Sequence, residues 1–192
     1  MAKENKSLYA ILGMLSHEDL TGYDIKKRID NSIRFFWDAG FGQIYPNLKI
    51  LEKKGLVTKR VEAGDNRPNR IIYSITEMGR EELTKWLATP VGEEHVRYEI
   101  LLKLFFGNLL PAEANIKKIE EFRDRNQTYL EIMQGFKSCL LDALKESEDH
   151  RYYLLTVLLG EKLYQAHLEW AGEAIAILQN QQELVRKDGG LE

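Results

Sequence analysis

A single cysteine, Cys139, stands among 192 residues, so no disulfide can close within the chain. That suits a reducing cytoplasm. Cys139 lies in the apolar helical stretch FKSCLLDAL, where a small core residue is expected rather than a nucleophile. Long apolar runs are also missing. The early run LYAILGML has eight residues and is broken by Gly13, far short of the roughly 18 to 20 that a bilayer requires. The opening MAKENKS is polar and unlike a signal peptide, so the expectation is a cytoplasmic chain with no membrane partner. Histidine is scarce. His17, His95, His150 and His167 show no ligand spacing with cysteine or carboxylates, and no metal site is expected. The nucleophile elbow GxSxG, the P-loop and GxGxxG are all absent. Glu161 and His167 stand at i and i+6, off a shared helix face, so they do not make an acid–base pair. No catalytic residue and no cofactor are expected.

Excess positive charge is lacking too, since the net charge is −3. A generally polycationic binder of nucleic acid is thereby excluded, but the charge is unevenly spread. Residues 1–88 carry 15 Lys and Arg against 12 Asp and Glu, whereas residues 89–192 carry 12 against 18. A basic first part and an acidic second part suggest separate tasks, with any polyanionic partner on the first. Thr89-Pro90-Val91-Gly92-Glu93 punctuates the two. The reading is a domain over 1–88, a linker over 89–94, a helical domain over 95–187 and a frayed tail over 188–192, where Gly189-Gly190 falls.

The first domain reads helix, helix, helix, hairpin, helix. Leu8, Ile11, Leu12 and Leu15 make one amphipathic helix. Thr21 is placed to cap a second, in which Ile25, Ile29 and Ile33 recur every four residues. A third follows in GQIYPNLKILEKKG, where Ile44, Leu48 and Leu51 share a face. Pro46 breaks a helix only in its interior, so the helix is expected to start between 41 and 45, with Pro46 in its first turn. Two β-rich runs, Leu56 to Val61 and Ile71 to Ile75, then flank the loop Ala63-Gly64-Asp65-Asn66-Arg67-Pro68. Thr76 caps a fourth helix, with Leu83, Trp86 and Leu87 as its stripe. Three helices followed by a hairpin is the order of a winged helix-turn-helix.

On a wheel of the third helix, Gly42, Pro46, Lys49 and Lys53 lie opposite the apolar face. Gln43 and Asn47 flank them on one shoulder and Tyr45 on the other. Small residues lead and cations follow, as in a recognition helix that brings its first turns against base edges. Gln43 and Asn47 have the paired donor and acceptor that read adenine, and Tyr45 offers a hydroxyl to a phosphate. Lys59, Arg60, Arg67 and Arg70 place four cations in or beside the hairpin, opposed by Glu62 and Asp65. Such a wing suits a phosphate or a minor groove. A solvated face with incidental lysines, or a module for protein–protein association, are the competing readings.

The second domain is helical throughout. Ile119, Phe122, Asn126, Tyr129, Met133, Phe136, Leu140 and Ala143 alternate by three and four, and so do Leu154, Val157, Glu161, Tyr164, Leu168, Ala171, Ile175 and Leu178. Two long helices packed at shallow angles, as in coiled coils, are expected. Apolar residues off these seams, among them Leu130, Leu158, Trp170 and Ile177, call for a further partner, such as the apolar segment from Tyr98 to Leu110 or a second copy. A homodimer is the economical expectation. Its interface is assigned to Ile119, Phe122, Tyr129, Met133, Phe136, Leu154, Val157, Tyr164, Leu168 and Ile175. Trp86, Asn126, Glu161, Tyr164 and Trp170 are candidates for lining a ligand pocket, although an Asn or Glu in a seam also sets helix register.

The segments LYAILGMLS, TGYDIKKRI, GQIYPNLKILEKKGLV and NRPNRIIYSITEMGREEL resemble the winged-helix domain of the PadR family of bacterial transcriptional regulators. The Tyr-Pro of the third helix with its following Leu-x-x-Leu-Glu is the most diagnostic piece. The Arg-Pro-x-Arg wing is the second. Asn66 stands where the family usually has the glycine of Gly-Arg-Pro. The helical remainder, from YEILLKLFF, is similar to the longer C-terminal domain of one branch. The resemblance implies a homodimer on a palindromic operator of double-stranded DNA, usually repressing and often released by a small aromatic or phenolic ligand. It carries roles in DNA binding onto Tyr45, Asn47, Lys49, Arg67 and Arg70.

Overall fold

The computed structural model describes residues 5–37, 41–64, 67–93 and 96–188, without the side chains at 41, 64, 67, 68 and 181–188. The chain divides into two compact units, Met1–Glu93 and Glu94–Glu192.

In the first unit, helix α1 (Ser7–His17) buries Leu8, Ile11, Leu12 and Leu15, as their spacing predicts. Helix α2 (Gly22–Asn31) opens with a capping box. Asp24 N–H donates to the Thr21 hydroxyl, and the Thr21 N–H donates back to the Asp24 carboxylate. The helix stops a turn before the isoleucine repeat does, and Ile33 begins a 3-10 turn (Ile33–Phe35) instead. A second 3-10 turn (Phe41–Gln43) leads into helix α3 (Ile44–Lys53). Pro46 is its third residue, where a missing N–H costs little. Gly55, at φ 70°, ends α3 in the left-handed region that a side chain disfavours. There the Leu56 N–H returns to the Leu51 carbonyl at 3.0 Å and the Gly55 N–H to that of Glu52 at 2.9 Å.

Strands β2 (Val57–Gly64) and β3 (Arg67–Ile75) pair antiparallel, with Val57 opposite Ile75 and Glu62 opposite Arg70. Ala63, Gly64, Arg67 and Pro68, expected as loop, therefore have strand backbone. A strand not expected from the sequence, β1 (Leu20–Thr21), pairs with the other edge of β3. Two residues carry no periodicity, so nothing local announces it. Helix α4 (Glu77–Leu87) starts at Thr76, whose hydroxyl accepts from the Gly79 N–H at 3.0 Å. The core joins α1, α2, α3 and the sheet through Ile25, Ile29, Ile44, Leu48, Leu51, Val57 and Tyr73.

The second unit begins with a short helix α5 (Glu99–Phe105) and a 3-10 turn (Gly107–Leu109). Helices α6 (Ala112–Asp142) and α7 (Asp149–Asp188) form a long antiparallel hairpin, in which Lys137 meets Glu161 and Asn126 meets His167. Ile119, Phe122, Met133, Val157 and Ile175 are buried in it, and Tyr129, Phe136, Leu154, Tyr164 and Leu168 are half-buried. These ten residues, assigned above to a dimer interface, close the chain's own hairpin. A heptad stripe specifies that a partner helix exists and leaves open which chain supplies it. The turn at 143–148 brings that partner from the same chain. The apolar residues left exposed form a different set, which includes Tyr152, Leu155, Leu159 and Leu163 on α7 and Leu102 and Phe105 on α5.

Candidate functional site

Helix α3 has two clear faces. Ile44, Leu48 and Leu51 are buried, while Gln43, Tyr45, Pro46, Lys49, Ile50 and Lys53 are exposed. Lys49 and Lys53 have no ion-pair partner among the described residues. The outward face is therefore compact at its start and cationic further on.

Asn47 departs from expectation. It is only 1% exposed, and its side-chain oxygen accepts a 2.8 Å hydrogen bond from the Asn5 amide. At 100° per residue Asn47 lies about 40° from Leu51, on the margin of the apolar stripe. The segment leading into α1 covers that margin. Asn47 thus ties α3 to the domain and is not on the outward face in this structure.

The wing cations are partly committed to neighbours. Arg60 donates to the Asp19 carboxylate and to the Ser74 hydroxyl at 3.2 Å. The Arg60 hydrogen bond, followed by that of Ser74, holds the Asp19 carboxyl below its ordinary range. Lys59 pairs with Glu52 of α3 at 2.9 Å, and this bond raises the ammonium's pKa. Arg70 approaches Asp24 of α2 at 3.5 Å but stays largely exposed. The Arg67 side chain lies outside the described residues. The sequence counted Asp24 and Asp19 only as charge, yet they set how much of the wing's cationic surface is left.

The ligand candidates are divided between the two units. Trp86 stacks on Tyr9 at 4.4 Å between ring centroids, within the first unit. In the second unit Glu161 pairs with Lys137 at 2.7 Å, and Tyr164 packs beside Tyr129. Asn126 is buried; its amide donates to the Phe122 carbonyl at 2.7 Å and its oxygen faces His167 Nδ1 at 2.8 Å. That oxygen can only accept, so Nδ1 carries the proton. Nε2 is then the acceptor for the Tyr98 hydroxyl at 3.2 Å. Burial lowers the His167 pKa, which keeps the ring neutral near pH 7.

A cavity of about 110 Å³ opens at this relay, lined by Tyr98, Ile100, Leu101, Phe122, His167 and Trp170. Of the sequence candidates only Trp170 lines it. Tyr98 and His167 were missed, because the link between residues 69 positions apart has no periodic signature. Among the described residues no group of His, Cys, Asp and Glu could hold a metal ion. No described helix is long and apolar enough to cross a membrane.

Comparison with known proteins agrees with this architecture. Residues 11–85 match the transcriptional regulator PadR-like family, and residues 96–179 match the C-terminal region of virulence activator alpha. The negative transcriptional regulator PadR of Bacillus subtilis is 32% identical over 169 residues, spanning 84% of this chain and 92% of that protein. The crystal structure of Bacillus subtilis PadR with operator DNA superposes with a TM-score of 0.81 at 27% identity, covering 92% of this chain and 99% of that one. The structure of the same regulator with p-coumaric acid gives 0.72 at 28% identity, covering 89% and 97%. With its winged helix-turn-helix, its helical C-terminal unit and a relative this similar along most of both chains, the protein belongs to the PadR-like family of transcriptional regulators.

Proposed function

We propose that the protein is a sequence-specific DNA-binding repressor that acts as a homodimer on a palindromic operator. The outward face of α3 carries the proposal, because Lys49 and Lys53 there have no intramolecular ion pair among the described residues. Gln43 and Tyr45 lead that face toward base edges and backbone, and Lys49, Lys53 and Arg70 meet phosphates. Arg67, the first residue of β3, is included for its charge on the wing and for the family resemblance. Arg60, bridged to Asp19, takes a supporting part. A relative solved on operator DNA and named a negative regulator supports both DNA binding and repression. The dimer surface is reassigned from the α6–α7 seam to the exposed apolar residues of α5 and α7, whose exposure would be costly in a monomer.

The effector is a small aromatic molecule held in the cavity beside His167 and Trp170. Its walls are apolar and aromatic; both ring nitrogens of His167 are taken by Asn126 and Tyr98, which leaves the Tyr98 hydroxyl oxygen as an acceptor for a donor on the ligand. The p-coumaric acid complex of the Bacillus subtilis relative supports this ligand class.

The test is a titration of the full chain against a duplex from its own promoter region across a range of salt. Lys49→Ala and Lys53→Ala should each flatten the slope of log K on log salt by about one per protomer. An unchanged slope in both variants would remove α3 from the interface.

A further inference from the structure

Gly22 is the first residue of α2 and is buried, although it has no side chain to bury. Its backbone does not demand glycine. Among the described glycines only Gly55 has a positive φ. What stands over Gly22 is the ring of Tyr45. A Cβ built on Gly22 would lie 2.6 Å from Cε1, 3.0 Å from Cζ and 3.3 Å from Cδ1 of that ring. The closest atoms are those at the hydroxyl end. Tyr45 nevertheless remains 57% exposed, so one edge is seated on α2 while the rest faces outward.

We propose that Gly22 is a positioning residue for DNA. Its bare Cα is the seat that fixes the Tyr45 ring across the start of α2, and so holds the Tyr45 hydroxyl where it donates to a backbone phosphate oxygen. This rests on the DNA-binding reading above. Three features carry it. Gly22 is not among the glycines with a positive φ, so its presence needs a reason other than backbone conformation. The contact is with a side chain that has room to swing away, unlike Gly79, whose Cβ would meet the Leu56 carbonyl oxygen at 2.2 Å. And the ring belongs to the second residue of α3, next to Pro46 on the leading turn, where small displacements decide what the helix can touch.

Adding a methyl group at position 22 should therefore leave the fold intact and displace the hydroxyl. The test uses the full chain and a duplex that the wild-type protein selects from a random-sequence pool. Gly22→Ala should melt at or above the wild-type temperature and bind the duplex about ten-fold more weakly per protomer, the worth of one hydrogen bond to a charged acceptor. Its salt slope should be unchanged, because a neutral hydroxyl releases no counterion. Tyr45→Phe should lose the same factor, and Gly22→Ala with Tyr45→Phe should lose no more than either alone. Wild-type affinity in Gly22→Ala would overturn the inference. So would losses that multiply in the double variant, or a lowered melting temperature that accounts for the weaker binding. If the wild-type protein selects no duplex, the DNA-binding reading itself fails, and that is seen before any variant is made.

Discussion

Replacing Asn47 by alanine separates two roles that a helical wheel leaves open. In the structure Asn47 is buried and joined to Asn5. The substitution removes that hydrogen bond, worth about 0.5–1.5 kcal/mol, and leaves a small void beside Leu48 and Leu51. Asn5 is exposed, so its amide can turn to water and adds little further cost. A total of about 2 kcal/mol follows, which lowers the midpoint of a unit this size by roughly 10 °C. Near-UV circular dichroism of the full chain is a suitable assay, since the stacked Tyr9–Trp86 pair reports on the first unit. Below the melting transition, the preference of the variant among operator base pairs should match that of the wild type. An unmoved midpoint together with lost discrimination at one base pair would instead put Asn47 on a base, because that is the signature of an asparagine on adenine.

Further expectations concern packing, protonation and assembly. Gly79→Ala should destabilise the first unit by ~2 kcal/mol in urea melts, since its Cβ would meet backbone rather than a movable side chain; a neutral effect would contradict the close approach. Burial depresses the His167 pKa, so the unfolded chain takes up a proton that the folded unit resists. Stability of the helical unit should then fall as pH drops through about 6.5 toward the lower folded value. His167→Gln should weaken that dependence in urea midpoints, and an identical decline would count against it. Leu155→Glu with Leu159→Glu should turn a dimer into a monomer by light scattering without loss of helicity. Val157→Glu, at a buried seam position, should instead disrupt the hairpin.

Much of the first unit could be read locally, since caps and periodicity are short-range properties. Thr21 and Thr76 each accept from the N–H three residues on, and α3 starts at Ile44 with Pro46 in its first turn. What escaped depends on who covers whom. Asn47 sits at the edge of a stripe, and its burial is decided by Asn5, 42 residues away. Arg60 counts as a free cation until the fold places Asp19 beside it. The seams of α6 and α7 were legible as seams, yet their pattern is the same whether the partner helix is in the same chain or another. In the sequence His167 has neither metal-ligand spacing nor a helix face shared with Glu161. Its role comes from Asn126 and Tyr98, which only packing brings together.

The proposed function requires that this chain reads a DNA sequence through α3. Fluorescence anisotropy of the full chain on a duplex it has selected, against a shuffled duplex of equal length and composition at physiological salt, tests it most directly. Binding to the selected duplex should be tighter by about 10³-fold or more. Equal affinity for both duplexes, or none for either, would contradict it.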